Sequence, residues 1–221
     1  MMKTAIDLNN TGCKVLQRGH YKLSIALFTE AINVIKVSRS SSRNDNVEMQ
    51  KHFVDVFKNT EQLFQRPLKS DLLVNASFLY ASPFKIDPSE NPDQVNERYA
   101  SAVILFNTAL ASHLRLLEKG MFGTKPRFLL DMYNYAYSLI ETNDANHPAI
   151  ALLVLATLNN MGQIYHQTAQ FYHEEQCLRE MDCLLSSDRN SIQELKENGC
   201  WGDFVLNVAM LRNSVKNAPA A

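Results

Sequence analysis

Apolar residues recur at helical spacing along most of this chain, and the spacing changes once. Over 21–37, Ile25, Phe28, Ala31, Ile32 and Ile35 share one face of a helix, and residues 3–18 form the helix before it, with Gly19 punctuating the pair. Further helices are predicted over 95–119, 126–143, 148–168 and 171–186, the third of these opened by Pro148, whose missing N–H costs nothing in a first turn. Between 72 and 86 the period drops to two. Leu72, Val74, Ala76, Phe78, Tyr80, Phe84 and Ile86 all occupy even positions, the alternation of a strand or extended segment with one buried face. Pro83, Pro88 and Pro92 then oppose helix until about Asp93. A lone strand leaves its backbone groups unpaired, so this one must fold on itself, lie along the helices or take a partner's strand. The polar stretch Ser38–Asn46 reads as a mobile loop, and Met49, Phe53, Val56, Phe57 and Phe64 outline a helix over 47–65. The tail from Asn198 carries Trp201, Phe204, Val205, Leu206, Val208 and Leu211, apolar enough to cap an open helical face.

The chain also repeats itself. Leu8-Asn9-Asn10-Thr11-Gly12 returns as Leu158-Asn159-Asn160-Met161-Gly162, and the register holds through one hairpin: Val15 with Tyr165, Gly19 with Ala169, Tyr21 with Phe171, Phe28 with Leu178. A degenerate copy lies between them. There Asn107 precedes Ala109 by two residues, and Tyr133, Ala136 and Tyr137 match Phe28, Ala31 and Ile32. The interval from small residue to large partner is 24 in this copy and 16 in the others, and Lys119-Gly120-Met121-Phe122-Gly123 supplies the break. A small residue on the first helix lets the second approach closely, and a large side chain fills the space beside it. Gly12 and Gly162 each cost about 1 kcal/mol against alanine inside a helix, so close packing is the expected reason for both, and Gly162→Leu is expected to break its hairpin.

Asn-Asn-x-Gly, Gly19-His20-Tyr21, Ser24-Ile25 and Phe28-Thr29-Glu30-Ala31-Ile32 together resemble the tetratricopeptide repeat (TPR), over residues 5–36 and 97–186. The last copy departs from the pattern at Glu174 and Met181, where small residues are usual. The order of segments, with Phe-Asn-x-Ala-Leu at 106–110, Tyr-x-x-Ala-Tyr at 133–137, Asn-Asn-x-Gly-x-Ile-Tyr at 159–165 and a terminal Ala-Pro-Ala-Ala, is similar to a group of TPR-like proteins abundant in diatoms, from which no activity carries over. The resemblance implies an all-α fold: a short TPR-like stack of about three antiparallel hairpins (an alpha-alpha superhelix) with an inserted loop and extended segment and a C-terminal cap. Its segments are a first hairpin at 1–37, an insertion at 38–94, a second hairpin at 95–143, a third at 144–187, and a cap and tail at 188–221.

Composition narrows the function. With 46% hydrophobic and 20% charged residues over 221 positions, the chain is long and apolar enough to bury a core, and two full domains are not expected. A net charge of −1 with scattered basic residues lacks the cationic field that nucleic acid requires. The longest apolar run, Ala149–Ala156, is too short to span a bilayer, and a cytoplasmic or nuclear location is the default. Cys13, Cys177, Cys183 and Cys200 form no Cys-x-x-Cys pair, so neither a disulfide framework nor a structural zinc is expected, and no cofactor either. His166 and His173 are separated by a helix-to-helix turn, which argues against shared metal ligation, and Glu174-Glu175 and Glu194 with Glu197 read as carboxylates of solvated helices. No phosphate loop or nucleophile set stands out, and an enzyme is not expected.

What remains is a protein expected to bind protein. Asn10, Asn107 and Asn160 repeat one polar residue per hairpin, which means a shared structural hydrogen bond or a shared ligand contact; the structural role is the favoured expectation, since a buried amide can bridge adjacent helices. In the TPR geometry the concave groove is lined by first helices, which nominates Asn9, Cys13, Leu16 and Gln17, then Phe106, Leu110 and His113, then Asn159, Gln163, His166 and Gln167 as partner-binding. Such a groove is neutral and amide-rich, whereas TPRs that clamp a terminal carboxylate use Lys and Arg, so no carboxylate clamp is expected. The expectation is a non-catalytic adaptor or scaffold that binds a partner peptide or helix. The competing expectation is a structural subunit of a homo-oligomer or larger complex, with the 47–86 insertion as its interface.

Overall fold

The computed structural model describes residues 1–40, 79–87, 97–120, 126–140, 147–199 and 201–216. Among these residues the fold is all-helical, with no strand: α1 (Met2–Leu16), α2 (Tyr21–Ser40), α3 (Glu97–Glu118), α4 (Pro126–Ser138), α5 (Pro148–Gln167), α6 (Phe171–Leu185), α7 (Asn190–Glu197) and α8 (Gly202–Lys216). The chain divides into two compact units where the sequence leads one to expect a single domain. The first holds α1 to α4 with residues 81–87, and the second holds α5 to α8 with Leu79 and Tyr80.

In the first unit α1 packs on α2, α2 on α3, and α3 on α4. The inward face of α1 is the stripe Ala5, Ile6, Asn9, Gly12, Cys13, Leu16, an i, i+4, i+7, i+11 pattern with an asparagine at its centre. At Gly12 the second helix closes in: a Cβ there would stand 2.5 to 3.0 Å from Cε1, Cδ1 and Cζ of the fully buried Phe28. The glycine and the ring are therefore one packing unit, as the repeat predicts. Helix α3 is buried around nearly its whole circumference, from Ala100 to Leu117. It is the one described helix long and apolar enough to cross a bilayer, and 94% of that window is buried inside the protein, as for a core helix.

In the second unit α5 packs on α6, α7 and α8, and α6 on α8. Helix α5 opens with Pro148 in its first turn, and the His147 ring accepts from the Ala149 N–H at 3.3 Å. Here the packing differs from the repeat's prediction. A Cβ at Gly162 would meet only the Cys177 Cβ at 3.6 Å, an ordinary contact, so close approach is not the reason for this glycine. In the tail helix α8, which packs on α5 and α6, Phe204 and Val208 are buried, while Val205 and Leu206 are exposed.

The turns between α1 and α2 and between α5 and α6 share two bonds. Gly19 N–H donates to Leu16 O at 2.9 Å and His20 N–H to Val15 O at 3.2 Å; Ala169 N–H donates to His166 O at 3.1 Å and Gln170 N–H to Tyr165 O at 2.9 Å. Both are Schellman stops, in which a left-handed residue lets two amides reach back to orphan carbonyls. That residue is Gly19 at φ 78° in one hairpin and Ala169 at φ 55° in the other.

Boundaries move in three places. Helix α2 runs to Ser40, so residues 38–40 are helical and not loop; Ser and Arg do not break a helix. Helix α4 ends at Ser138, short of the expected 143. The short α7, with Ile192 and Leu195 buried, is a separate helix within the segment 188–221 expected as cap and tail. The expected helix over 47–65, the loop residues beyond Ser40 and the alternating positions Leu72 to Phe78 lie outside the described residues.

Candidate functional site

Residues 79–87 carry neither helix nor strand ladder, so their backbone groups need partners elsewhere. In the first unit those partners are asparagine side chains. Asn10 of α1 donates from Nδ2 to Ile86 O at 2.7 Å and accepts at Oδ1 from the Ile86 N–H at 2.9 Å. Asn107 of α3 does the same to Phe84, donating to its carbonyl at 2.7 Å and accepting from its N–H at 2.9 Å. A primary amide offers a donor and an acceptor side by side, as a peptide group does, and so grips one extended residue the way a neighbouring strand would. Because a backbone N–H only donates and a C=O only accepts, the orientation of both amides is fixed by their partners. The two gripped residues are i and i+2, the repeat of one edge of an extended chain.

The amides are themselves held. Asn9 accepts at Oδ1 from Asn107 Nδ2 at 2.9 Å, and donates to Phe84 O at 3.1 Å and to Asn10 Oδ1 at 3.2 Å. The Cys13 thiol donates to Phe84 O at 3.2 Å and lies 3.4 Å from Asn107 Nδ2. One carbonyl thus collects three donors in a buried setting where each is worth more than in water. Burial pushes the Cys13 thiol up to about 12, the nearby Lys85 ammonium opposing only part of this, so the group is a neutral S–H donor at neutral pH. Side chains of the segment alternate: Phe84 and Ile86 are buried, Lys85 and Asp87 exposed. The Phe84 ring meets Phe106 edge-on at 5.1 Å, and Phe106 leads to Tyr133 at 5.6 Å.

The second unit holds the same device. Asn160 of α5 accepts at Oδ1 from the Tyr80 N–H at 2.9 Å and donates to Tyr80 O at 3.2 Å. Asn159 donates to Asn160 Oδ1 at 3.2 Å, as Asn9 does to Asn10, and accepts from Asn207 Nδ2 at 2.9 Å, as Asn9 does from Asn107. The Tyr80 ring stacks on Phe204 of α8 at 5.4 Å.

The nominated residues separate accordingly. Asn9, Cys13 and Phe106 gather on Phe84, and Asn159 supports Asn160. Leu16 and Leu110 are core, and Gln17 is exposed at the end of α1. His113 is fully buried, its Nδ1 3.5 Å from Tyr133 Oη, and burial lowers its pKa to about 3. Gln163 is buried and Gln167 half-buried; His166 Nδ1 stands 3.1 Å from the buried Glu174 Oε1. Asn10, Asn107 and Asn160 do each make a structural hydrogen bond within the chain, but its partner is the main chain of residues 80–86 in place of the expected adjacent helix; Asn107 of α3 also donates to Asn9 of α1. Asn207 carries no signal in the sequence, because the tail holds no copy of the repeat, only apolar spacing.

Burial also pushes the Cys177 thiol up to about 12, with carboxylates of Glu180 and Glu174 adding to it. Among the described residues no group of three or more His, Cys, Asp or Glu is placed to hold a metal ion. No family model matches this chain, nor does any curated protein or solved structure.

Proposed function

We propose that this chain is a non-catalytic, TPR-like adaptor that binds an extended segment of a partner protein through its main chain. The observation that carries the reading is the pairing of one asparagine amide with both backbone groups of one extended residue, made by Asn10, by Asn107 and by Asn160. Main-chain pairing supplies affinity for any extended peptide, and pockets for alternate side chains supply selectivity. The matched turns and matched Asn-Asn contacts of the α1–α2 and α5–α6 hairpins support a shared repeat ancestry of TPR type, to which the α3–α4 pair adds a longer-armed copy.

A second reading has its own support. The grips are satisfied by the chain's own residues, as they would be if they served only to fasten an insertion in a structural subunit. Peptide arrays probed with the full chain, with light scattering on the same sample, separate the two. Binding of extended peptides by a monomer, lost in an Asn10→Ala/Asn107→Ala variant that keeps its helical circular dichroism, supports the adaptor. An obligate oligomer that binds no peptide supports the subunit.

A further inference from the structure

Resting on the adaptor reading, we propose that residues 81–87 are a removable internal ligand of the first unit, and that the partner's segment that replaces them has the pattern aromatic, any residue, β-branched aliphatic. The chemistry of the seat defines that pattern. Two positions are read, each twice: by an amide grip on the main chain and by burial of the side chain, Phe84 against Phe106 and Ile86 at 2% exposure. The residue between them, Lys85, is exposed and leaves its position unspecified. Proline is excluded at both read positions, because Asn107 and Asn10 each accept an N–H there; Pro83 stands at an odd position, on the other edge.

The seat is built on helices that pack on one another. Its gripping groups, Asn9, Asn10, Cys13 and Asn107, all sit on α1 and α3, which α2 joins through helix-to-helix packing. The occupant's main chain is held by amide side chains, which recognise any main chain, its Phe84 ring meets Phe106, and no strand ladder is present among the described residues. A tethered occupant acts at an effective concentration of the order of mM, so it suppresses an untethered peptide of equal intrinsic affinity by the fraction of time the seat is free. Weakening the internal segment therefore raises affinity for the external one.

The test uses a fluorescein-labelled peptide with the sequence of residues 81–87 and fluorescence anisotropy on the full chain. A Phe84→Ala/Ile86→Ala variant is expected to bind it about tenfold or more tighter than the natural chain, through the larger free fraction. N-methylation of the peptide at its Phe or Ile amide removes the proton that Asn107 or Asn10 accepts, and is expected to cost about tenfold, while N-methylation at Lys costs little. Equal binding by variant and natural chain, or equal loss at all three amides, overturns the proposal. A variant that dimerises by exchanging this segment overturns it in favour of a second copy as the occupant. Should the double variant not fold, hydrogen exchange on the natural chain gives the answer: peptide at mM concentration must speed exchange at the Phe84 and Ile86 amides and leave α1 protected, and no change there overturns the proposal. Failure here with Asn10-dependent binding intact on the peptide array removes the internal ligand and leaves the adaptor; failure of both removes both.

Discussion

The α1–α2 hairpin and the α5–α6 hairpin are written in one register, yet they solve their interiors differently. Two of their turn bonds and their Asn-Asn contacts are equivalent. Between those fixed points, Phe28 becomes Leu178 and the crowding at Gly12 becomes open contact at Gly162. The left-handed Gly19 becomes Ala169, and the buried pair Leu16 and Ser24 becomes His166 and Glu174. What repeats is backbone geometry and the polar grip; side-chain packing is settled afresh in each unit. The units even bury titratable groups of opposite kind, His113 in the first and Glu174 in the second.

That contrast gives the largest expected effect. His113 has its folded-state pKa depressed from 6.5 to about 3 by burial, so its contribution to stability is complete above 6.5 and is lost as pH falls toward the folded value. Each pH unit in that window costs roughly 1.4 kcal/mol, and several kcal/mol are at stake by its acid end. Urea titrations of the natural chain and of His113→Gln at stepped pH measure it as a difference in slope, the variant being flatter. Identical slopes would mean that His113 titrates normally and that the first unit is not acid-sensitive at this point.

Next in size is the glycine pair. Gly12→Ala sets a methyl against the fully buried Phe28 ring at 2.5 to 3.0 Å, which must shift to admit it, and should cost roughly 2–3 kcal/mol. Gly162→Ala meets an ordinary contact and should gain up to about 1 kcal/mol of helix propensity. Equal effects from the two substitutions would erase the distinction between the hairpins. A smaller exchange tests the turns, where only backbone strain is involved because nothing lies within 4 Å of a Cβ at Gly19. Gly19→Ala should lose, and Ala169→Gly gain, about 1 kcal/mol.

These differences mark how far the sequence could be read. The helices and the change of period before residue 86 came from local spacing, and the repeat itself drew attention to Asn10, Asn107 and Asn160. The grip was beyond reach because its two halves lie 76 residues apart for Asn10 and Ile86, and 80 for Asn160 and Tyr80, a pairing that no local pattern encodes. The alternation is out of step at 79–80: Leu79 is buried and Tyr80 half-buried, with the Tyr80 ring stacked on Phe204. The non-equivalence of Gly12 and Gly162 was written in Phe28 against Leu178, but its sign depends on tenths of an ångström that spacing cannot supply.

The smallest expected effect sits where the last hairpin departs most from the repeat. Glu174 occupies the place of Ser24, and its carboxyl is wholly buried with one oxygen on His166. Desolvation raises its pKa, the His166 charge and hydrogen bond opposing, with Glu175 adding a little in the same direction as burial. A carboxyl raised in the folded state contributes stability that is complete below its ordinary value of 4.5 and is lost as pH rises through the folded value, because the unfolded chain then ionises more readily. Glu174→Gln keeps the shape and a partner for His166 and removes the ionisation, so the variant should outlast the natural chain at neutral pH and lose that advantage in acid. The dependence runs opposite to that of His113, and the double variant His113→Gln/Glu174→Gln should show both changes added, the two sites lying in different units. A natural chain that instead gains stability from Glu174 as pH rises would show that the ion pair with His166 outweighs burial, and that the departure from the repeat is a stabilising substitution.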